Sequence, residues 1–278
     1  MRAAVAPEIA RSVAVAALIC LGAGSAWSQQ AIKIDGSTGV APLVAALAKA
    51  YQQKATGVSI DIGKGLGARA RLEALANGSI DVAMASHGLA VDEIIKSGMT
   101  VDEIARTPVV FAVNAGVGIE GLTEQQICAI YAGARTNWKD LGGPDLAIAP
   151  RTRPDSEVDA EVVRDGIGCL KGLRMTEAAK VMQTAGDMAA ELAVAPGSIG
   201  MTTSTVVEQS GRRIRALALN GVNPEAANVL GGSYKLTREV FLVTRRAVSP
   251  ALGAFLTFAR SPEGAAVIKA NGAIPTAR

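Results

Sequence analysis

Residues 31–63 read AIKIDGSTGVAPLVAALAKAYQQKATGVSIDIG, and this stretch decides the fold class. Its two ends, IKIDG and VSIDI, alternate apolar and polar residues in the manner of half-buried strands. Between them, residues 41–53 place Leu43, Leu47 and Tyr51 on one face of an amphipathic helix. The stretch therefore predicts a strand, a helix and a second strand in succession.

The same alternation continues along the chain. Residues 66–76 predict a second helix, and residues 80–85 (IDVAMA) predict a third strand. This β-α-β-α-β order indicates a parallel sheet with crossover helices. After an apolar strand at 107–114 the pattern begins again, and the chain closes with two helices that start at Ser-Pro pairs.

These patterns predict an α/β protein of two lobes with a ligand cleft between them. We place residues 29–110 and 240–278 in lobe 1 and residues 111–239 in lobe 2. The terminal helical segment has no predicted strand of its own, so it must return to pack on the first lobe. Solutes bind such folds at the carboxyl ends of strands and the N-termini of helices.

The N-terminus predicts export. Arg2 and Arg11 precede an apolar run at 12–24, and residues 26–28 (AWS) offer small side chains to a signal peptidase. We interpret residues 1–28 as a cleaved signal peptide and expect a periplasmic protein. The alternative is a buried N-terminal helix.

Composition excludes several functions. The formal net charge is +3, from 28 basic and 25 acidic residues, which argues against a nucleic-acid partner. With one histidine in the chain, we predict neither a Cys/His metal site nor a cofactor. Cys128 and Cys169 remain after residue 28, and in an oxidising compartment we expect them to pair, with two buried free thiols as the alternative.

The first candidate ligand loop is DGSTGV at 35–40. The hydroxyls of Ser37 and Thr38 can donate to an anion, and we expect the amides of Gly39 and Val40 to point into the cleft. A helix N-terminus of this kind favours negative charge. The alternative is that the hydroxyls only cap the following helix.

The second candidate loop is GKGLGAR at 63–69. Its glycines allow close approach of the backbone to a ligand, which would place Ala68 at the site, and Arg69 adds a guanidinium that matches an oxyanion. The alternative is a flexible strand-to-helix turn. The glycine spacing fits neither a Walker loop nor a Rossmann loop, so nucleotide binding is excluded.

The third candidate loop follows the IDVAMA strand and contains Ser86 and His87. The position at a strand end favours ligand contact, whereas a lone histidine is more often a surface or packing residue. No nucleophile, second base or paired carboxylate accompanies His87, so we predict that the protein is not an enzyme.

The fourth candidate segment is RTRPDSEVD at 151–159. Here Arg153 can reach an anion while Ser156 and the amides of the next helix complete the cage. The alternative is an exposed helix start, with Ser156 or Asp155 as N-cap. We expect Glu157 and Asp159, on the first helical turn, to face solvent. The alternative is that these two carboxylates face the cleft.

Four segments carry a family resemblance: 35–67, 122–143 (LTEQQICAIYAGARTNWKDLGG), 196–205 (PGSIGMTTST) and 249–275. In this order they resemble the phosphate-binding protein family of ABC importers, over nearly the whole chain after residue 28. The resemblance implies the type II periplasmic-binding-protein fold, closure of the lobes over solute, and an ABC permease in the inner membrane as partner. We expect a monomer.

The resemblance carries over to individual positions only in part. The family's ligand-binding threonine falls on Thr38, and its second-lobe arginine falls on Arg153. Its glycine-loop serine falls on Ala68, its proton-accepting aspartate falls on His87 beside Ser86, and the Ser-Gly-Thr after the arginine is absent. The resemblance therefore implies phosphate as the solute. Sulfate, molybdate and tungstate are chemically similar oxyanions and are the other candidates. The alternative function is a periplasmic sensor or accessory protein that uses the same fold without transport.

Overall fold

The computed structural model describes Met1 and residues 30–276, so the predicted signal peptide lies, apart from Met1, outside the described residues. Twelve strands are present in this part of the chain: β1 Gln30–Gly36, β2 Val58–Ile62, β3 Val82–Ala85, β4 Met99–Asn114, β5 Gly121–Leu122, β6 Ala149–Thr152, β7 Lys180–Val181, β8 Ser198–Thr203, β9 Ile214–Ala216, β10 Ala218–Leu219, β11 Thr237–Arg245 and β12 Ile274–Pro275.

Ten α-helices accompany these strands within the same described residues. They are α1 Ala41–Gln52, α2 Ala68–Ala76, α3 Val91–Lys96, α4 Glu124–Tyr131, α5 Val158–Gly166, α6 Ala185–Val194, α7 Ser204–Gln209, α8 Ala226–Leu230, α9 Pro250–Ala259 and α10 Pro262–Ala270. None of them is long and apolar enough to cross a membrane.

The central sheet has the strand order β2-β1-β3-β11-β4-β8-β6-β7. β1 runs parallel to both β2 and β3, and in the other half β6 runs parallel to β7 and β8. Parallel pairs of this kind require crossover helices, and these are supplied by α1 and α2 between β1, β2 and β3. The α/β prediction is confirmed, and so is the parallel β-α-β-α-β order.

Two long antiparallel strands connect the halves of the sheet. β11 pairs along β4 from Thr237↔Pro108 to Arg245↔Met99, and the next part of β4 pairs with β8. β4 therefore belongs to both halves. It begins eight residues before the predicted strand at 107–114, because only half of residues 99–106 are apolar and pairing with β11 holds them in the sheet.

Buried apolar side chains form separate groups on the two sides of this connection. One group joins β1, α1 and β11 to α9 and α10, and the other joins β4 and β8 to α4, α5 and α6. The terminal helices thus pack on the first half, and Ser249 and Ser261 are their N-caps. The terminal segment does contribute a strand, β12, which pairs with β4, so the prediction of no strand there was wrong.

Cys128 and Cys169 form a disulfide between α4 and a short 3₁₀ turn at Gly168–Leu170. The two cysteines are 41 positions apart in the sequence, so the bridge closes a long loop. It ties the start of the second half to the end of α5.

Candidate functional site

The hydroxyls of Ser37 and Thr38 lie between β1 and α1 and bind two guanidinium groups. Arg238 Nη2 donates to Ser37 Oγ at 3.1 Å, and Arg153 Nη2 donates to Thr38 Oγ1 at 3.4 Å. Among the described residues no side chain caps α1, so the capping alternative for these hydroxyls was wrong. The Val40 amide donates to the Ser37 carbonyl and does not point into the cleft.

The glycine loop is fixed by a carboxylate. Asp35 Oδ1 accepts from the Gly65 amide at 3.0 Å and from the Gly36 amide at 2.7 Å. A Cβ at Gly63 would lie 1.9 Å from Asp35 Oδ2, and Gly65 has a φ of +121°, so the backbone approaches here only because both residues are glycines. The loop is thereby held against the Ser37–Thr38 turn and delivers Ala68 to the start of α2.

The arginine of α2 that faces the cleft is Arg71, and the prediction for Arg69 was wrong. The Arg69 side chain is 91% exposed and pairs with Glu73 one turn further on. Positions three and four apart share a helix face, so Arg71 lies on the side of buried Leu75, opposite Arg69. Arg71 Nε is buried and has no hydrogen-bond partner within the described part of the chain.

Ser86 and His87 have different roles. Ser86 is 1% exposed, accepts from Arg238 Nε at 2.8 Å and donates to the Glu239 carbonyl at 2.6 Å, so it orients Arg238. The His87 side chain is 40% exposed, and its Nδ1 lies 3.1 Å from Glu239 Oε2. His87 therefore stands at the mouth of the cleft, in contact with the Glu239 carboxylate.

Arg153 is buried at the base of the cleft, at the end of β6. Its side chain is 1% exposed; Nη1 donates to the Met182 carbonyl at 2.8 Å, and Nη2 donates to Glu157 Oε2 at 2.7 Å. Its Nε has no partner among the residues described. The contact with Thr38 makes Arg153 a direct link between the two halves of the molecule.

The first turn of α5 does not use the predicted caps. Its N-cap is Glu157, and no described side chain caps the helix, so the proposals of Ser156 or Asp155 as N-cap were wrong. Asp155 instead pairs with Arg164 at the surface, where its side chain is 91% exposed. Ser156 remains free of that role and lines the cleft beside Glu157.

Asp159 is buried, and the expectation that it faces solvent was wrong. Its side chain is 3% exposed and pairs with Arg238, itself 2% exposed. α5 buries the face on which Asp159 lies, and a carboxylate tolerates this only because a guanidinium meets it. Gly39 packs flat on the same guanidinium, since a Cβ there would lie 2.3 Å from Arg238 Nη1.

Some of these groups line a cavity of about 550 Å³ between the two halves, and the buried ion pairs lie behind that lining. Among the described helices of eight or more residues, three lack a side-chain cap, and all three begin at this cavity: α1, α2 and α5. The fourth helix that begins there, α6, is capped by Thr184. The uncapped amide ends of α2 and α5 thus face the cavity. At α1 the Ala41 amide donates to the Ser37 carbonyl and Pro42 has no amide hydrogen, so this helix contributes the positive end of its dipole only. The cavity lining includes Ser37, Thr38, Gly65, Ala68, Arg71, His87, Ser156, Glu157 and Thr184.

The guanidinium of Arg71 lines the cavity, and those of Arg153 and Arg238 lie behind the hydroxyls of Thr38 and Ser37. Burial lowers the pKa of Arg71 from its ordinary value, the charge of Arg238 lowers it further, and Glu157 partly offsets both. A group whose charged form is disfavoured in this way gains from a nearby anion. The arrangement of hydroxyls, helix ends and arginines can hold an oxyanion by charge-assisted hydrogen bonds.

Sequence reasoning missed Arg71, Arg238 and the inward-facing Asp159. Arg238 had a readable signal, because it is a charged residue at the start of the apolar strand REVFLVT. A buried charge in a strand requires a partner and so marks a candidate site. Asp159 had no such signal, because its partner lies 79 residues away in the sequence.

Comparison with known proteins decides the family. Residues 22–263 match a family model described as a PBP superfamily domain. The chain belongs to this superfamily. The phosphate-binding protein PstS of Bacillus subtilis is 26% identical over 258 residues, which cover 91% of this chain and 83% of that protein.

Solved structures of PBP-superfamily relatives share the fold. A Clostridium perfringens protein, described as a phosphate ABC transporter substrate-binding protein and solved with bound phosphate, superposes with a TM-score of 0.73 at 28% identity, covering 89% of this chain and all of that one. An ABC-type phosphate transport receptor from Vibrio cholerae gives a TM-score of 0.60 at 26% identity, covering 87% and 99%. The predicted family and type II binding-protein fold are confirmed.

Proposed function

We propose that this protein is a periplasmic solute-binding protein that captures a small tetrahedral oxyanion, phosphate or a close relative, for an ABC importer. The observation that carries the proposal is the cavity between the halves, where Arg71, Ser37 and Thr38 meet the uncapped starts of α2 and α5. Arg153 is hydrogen-bonded to Thr38 just behind this lining. Binding requires no bond to be made or broken, so the proposal involves no catalysis.

The site proposal keeps most of the predicted residues and changes their roles. Ser37, Thr38, Ser156 and Arg153 would contact the solute directly, with Ala68 contributing its position at the start of α2. Ser86 and Gly39 would act through Arg238, the first by a hydrogen bond and the second by allowing close packing. Arg71 replaces Arg69, and His87 would control access at the mouth.

The relatives support the choice of solute and partner. The matched proteins of B. subtilis, C. perfringens and V. cholerae are named for phosphate binding or phosphate transport. By analogy we propose an ABC permease in the inner membrane as partner. We also propose that the protein acts as a monomer and does not bind nucleic acid.

The export and lobe proposals follow from the same reasoning. We propose that residues 1–28 are removed as a signal peptide, which the mass of the secreted protein tests. We propose lobes of 29–110 with 240–278 and of 111–239, and the separate groups of buried residues on either side of β4 support this division.

A thermal-shift screen of ligand-stripped protein against phosphate, sulfate, molybdate and tungstate tests the function. A ligand that binds only the folded state adds about 2.7 kcal/mol at a hundred times its Kd, which raises the Tm of a protein of this size by roughly 5–10 °C. At the same phosphate concentration Arg153→Ala should abolish the shift and Thr38→Val, with affinity about tenfold lower, should roughly halve it. Arg69→Ala, on the exposed face of α2, should retain the shift. A flat response from well-folded wild-type protein would favour the sensor or accessory function.

A further inference from the structure

Of the three arginines described at the cavity, two are paired with carboxylates and one is not. Arg153 is matched by Glu157, and Arg238 is matched by Asp159. Arg71 forms no ion pair with any residue that the structure describes, and its buried Nε has no partner there. Lys64 and Glu161 line the exposed mouth and carry opposite charges. Two further carboxylates, Asp35 on the glycine loop and Glu239 beside His87, lie at the edge of the cavity and form no ion pair with an arginine of the described chain. The interior therefore offers an anion at most one unmatched positive charge.

A fully ionised dianion would bring an excess negative charge into this interior. Burying an uncompensated charge is costly, and two resident carboxylates already face the guanidinium groups. A singly charged oxyanion meets Arg71 without that cost. Above neutral pH, inorganic phosphate is mainly a dianion and sulfate is entirely a dianion. Both ions therefore fit the charge of the interior poorly.

The cavity is also larger than an inorganic oxyanion. Such an ion occupies on the order of two or three waters, about 60–90 Å³ at roughly 30 Å³ per water. The cavity of about 550 Å³ falls in the range of sites that hold organic molecules. Most of its volume would remain unfilled around phosphate alone.

A second cavity of about 330 Å³ adjoins the first and extends it. The two share Thr38, Gly65 and Thr184 among their lining residues. Beyond this shared edge the second cavity is lined mainly by small and apolar residues, including Pro42, Ile62, Met84 and Gly186. An anion at Arg71 and Thr38 would thus lie beside space suited to a hydrocarbon group.

We propose that the solute is an organic oxyanion of single negative charge, such as a phosphodiester, a phosphonate monoanion or a sulfonate. Its charged head lies at Arg71, Ser37 and Thr38, and its organic substituent occupies the second cavity. This inference rests on the proposed function of oxyanion capture and narrows its solute. Arg71 supplies the positive charge that the anionic head group requires, and the second cavity supplies apolar contact for the substituent.

Calorimetric titration of the ligand-stripped mature protein at pH 8 tests the inference. The probes are inorganic phosphate and diethyl phosphate as one pair, and sulfate and butanesulfonate as the other. We expect each organic probe to bind at least tenfold more tightly than its inorganic counterpart, since each fully buried methylene contributes roughly fourfold. Equal or weaker binding of the organic probes would overturn the inference.

A substitution at Gly186 tests the contribution of the organic substituent to binding separately from that of the charged head group. A Cβ at Gly186 meets only the Thr184 hydroxyl, at 3.6 Å, so the backbone accepts a side chain there. Gly186→Leu should fill the second cavity and lower the affinity ratio of diethyl phosphate to phosphate at least fivefold, whereas Gly186→Ala should change it little. An unchanged ratio in a folded Gly186→Leu variant would refute the second-cavity assignment.

The outcomes for the two proposals remain distinct. Tight binding of inorganic phosphate with no binding of the organic probes would keep the proposed function and refute this inference. Failure of all four probes to bind folded protein would refute oxyanion capture itself, and this inference with it.

Discussion

Replacing Asp159 by alanine would leave the Arg238 guanidinium buried without its counter-ion. Both side chains are at most 3% exposed, so water cannot take the place of the carboxylate. Breaking a buried ion pair by removing one partner costs about 3–5 kcal/mol. For a protein of this size each kcal/mol lowers the Tm by roughly 2–4 °C, so we expect a decrease of about 6–20 °C in anion-free buffer.

The chain offers a matched control in the same segment. Asp155 also pairs with an arginine, Arg164, but its side chain is 91% exposed. Exposed pairs contribute about 0–1 kcal/mol, so Asp155→Ala should lower the Tm by no more than a few degrees. Differential scanning calorimetry of both variants decides the matter. Equal Tm values for Asp159→Ala and Asp155→Ala would refute the buried ion pair as a structural element of the cleft.

Three further variants test separate parts of the structure. Thr38→Val removes a hydroxyl that meets Arg153, and we expect phosphate affinity, measured by calorimetry, to fall about tenfold with little change in Tm; unchanged affinity would exclude Thr38 from the site. Cys128→Ser with Cys169→Ser opens a loop of 41 residues and should lower the free energy of unfolding by about 4 kcal/mol in urea titrations, with a loss below 1 kcal/mol contradicting this. Burial raises the pKa of Tyr131, so the folded state retains a proton that the unfolded state releases above about pH 10, and stability should fall as pH rises beyond that point. Tyr131→Phe should reduce the slope of that fall, and an identical slope would show that Tyr131 does not cause it.

Local patterns in the sequence were sufficient for the first strands and helices. In residues 31–62 the apolar side chains recur with the period of a strand, then of a helix, then of a strand. The observed bounds of β1, α1 and β2 agree with the predicted ones within a few residues. The first part of β4 was not predicted in this way, because half of residues 99–106 are polar and the segment is held as a strand by pairing with β11. Contacts between distant segments leave no periodic signal.

The candidate site was predictable as a set of loops and less so as a set of side chains. The predicted start of α2 at residue 66 differs from the observed start at Ala68, and two arginines lie close together there, so sequence could not decide which one faces inward. Asp159 and Arg238 become partners only when α5 approaches β11. Charge pairing across the cleft is a property of the folded chain and must be read from the structure.

The most direct test of anion capture is calorimetric titration of phosphate into three ligand-stripped proteins: wild type, Arg71→Met and Arg69→Met. The two arginines lie on the same helix, one with a buried Nε facing the cavity and one 91% exposed. We predict that wild type and Arg69→Met bind phosphate with the same Kd, and that Arg71→Met binds it at least tenfold more weakly. Equal affinity of all three proteins, or loss of binding in Arg69→Met alone, would contradict the proposed site.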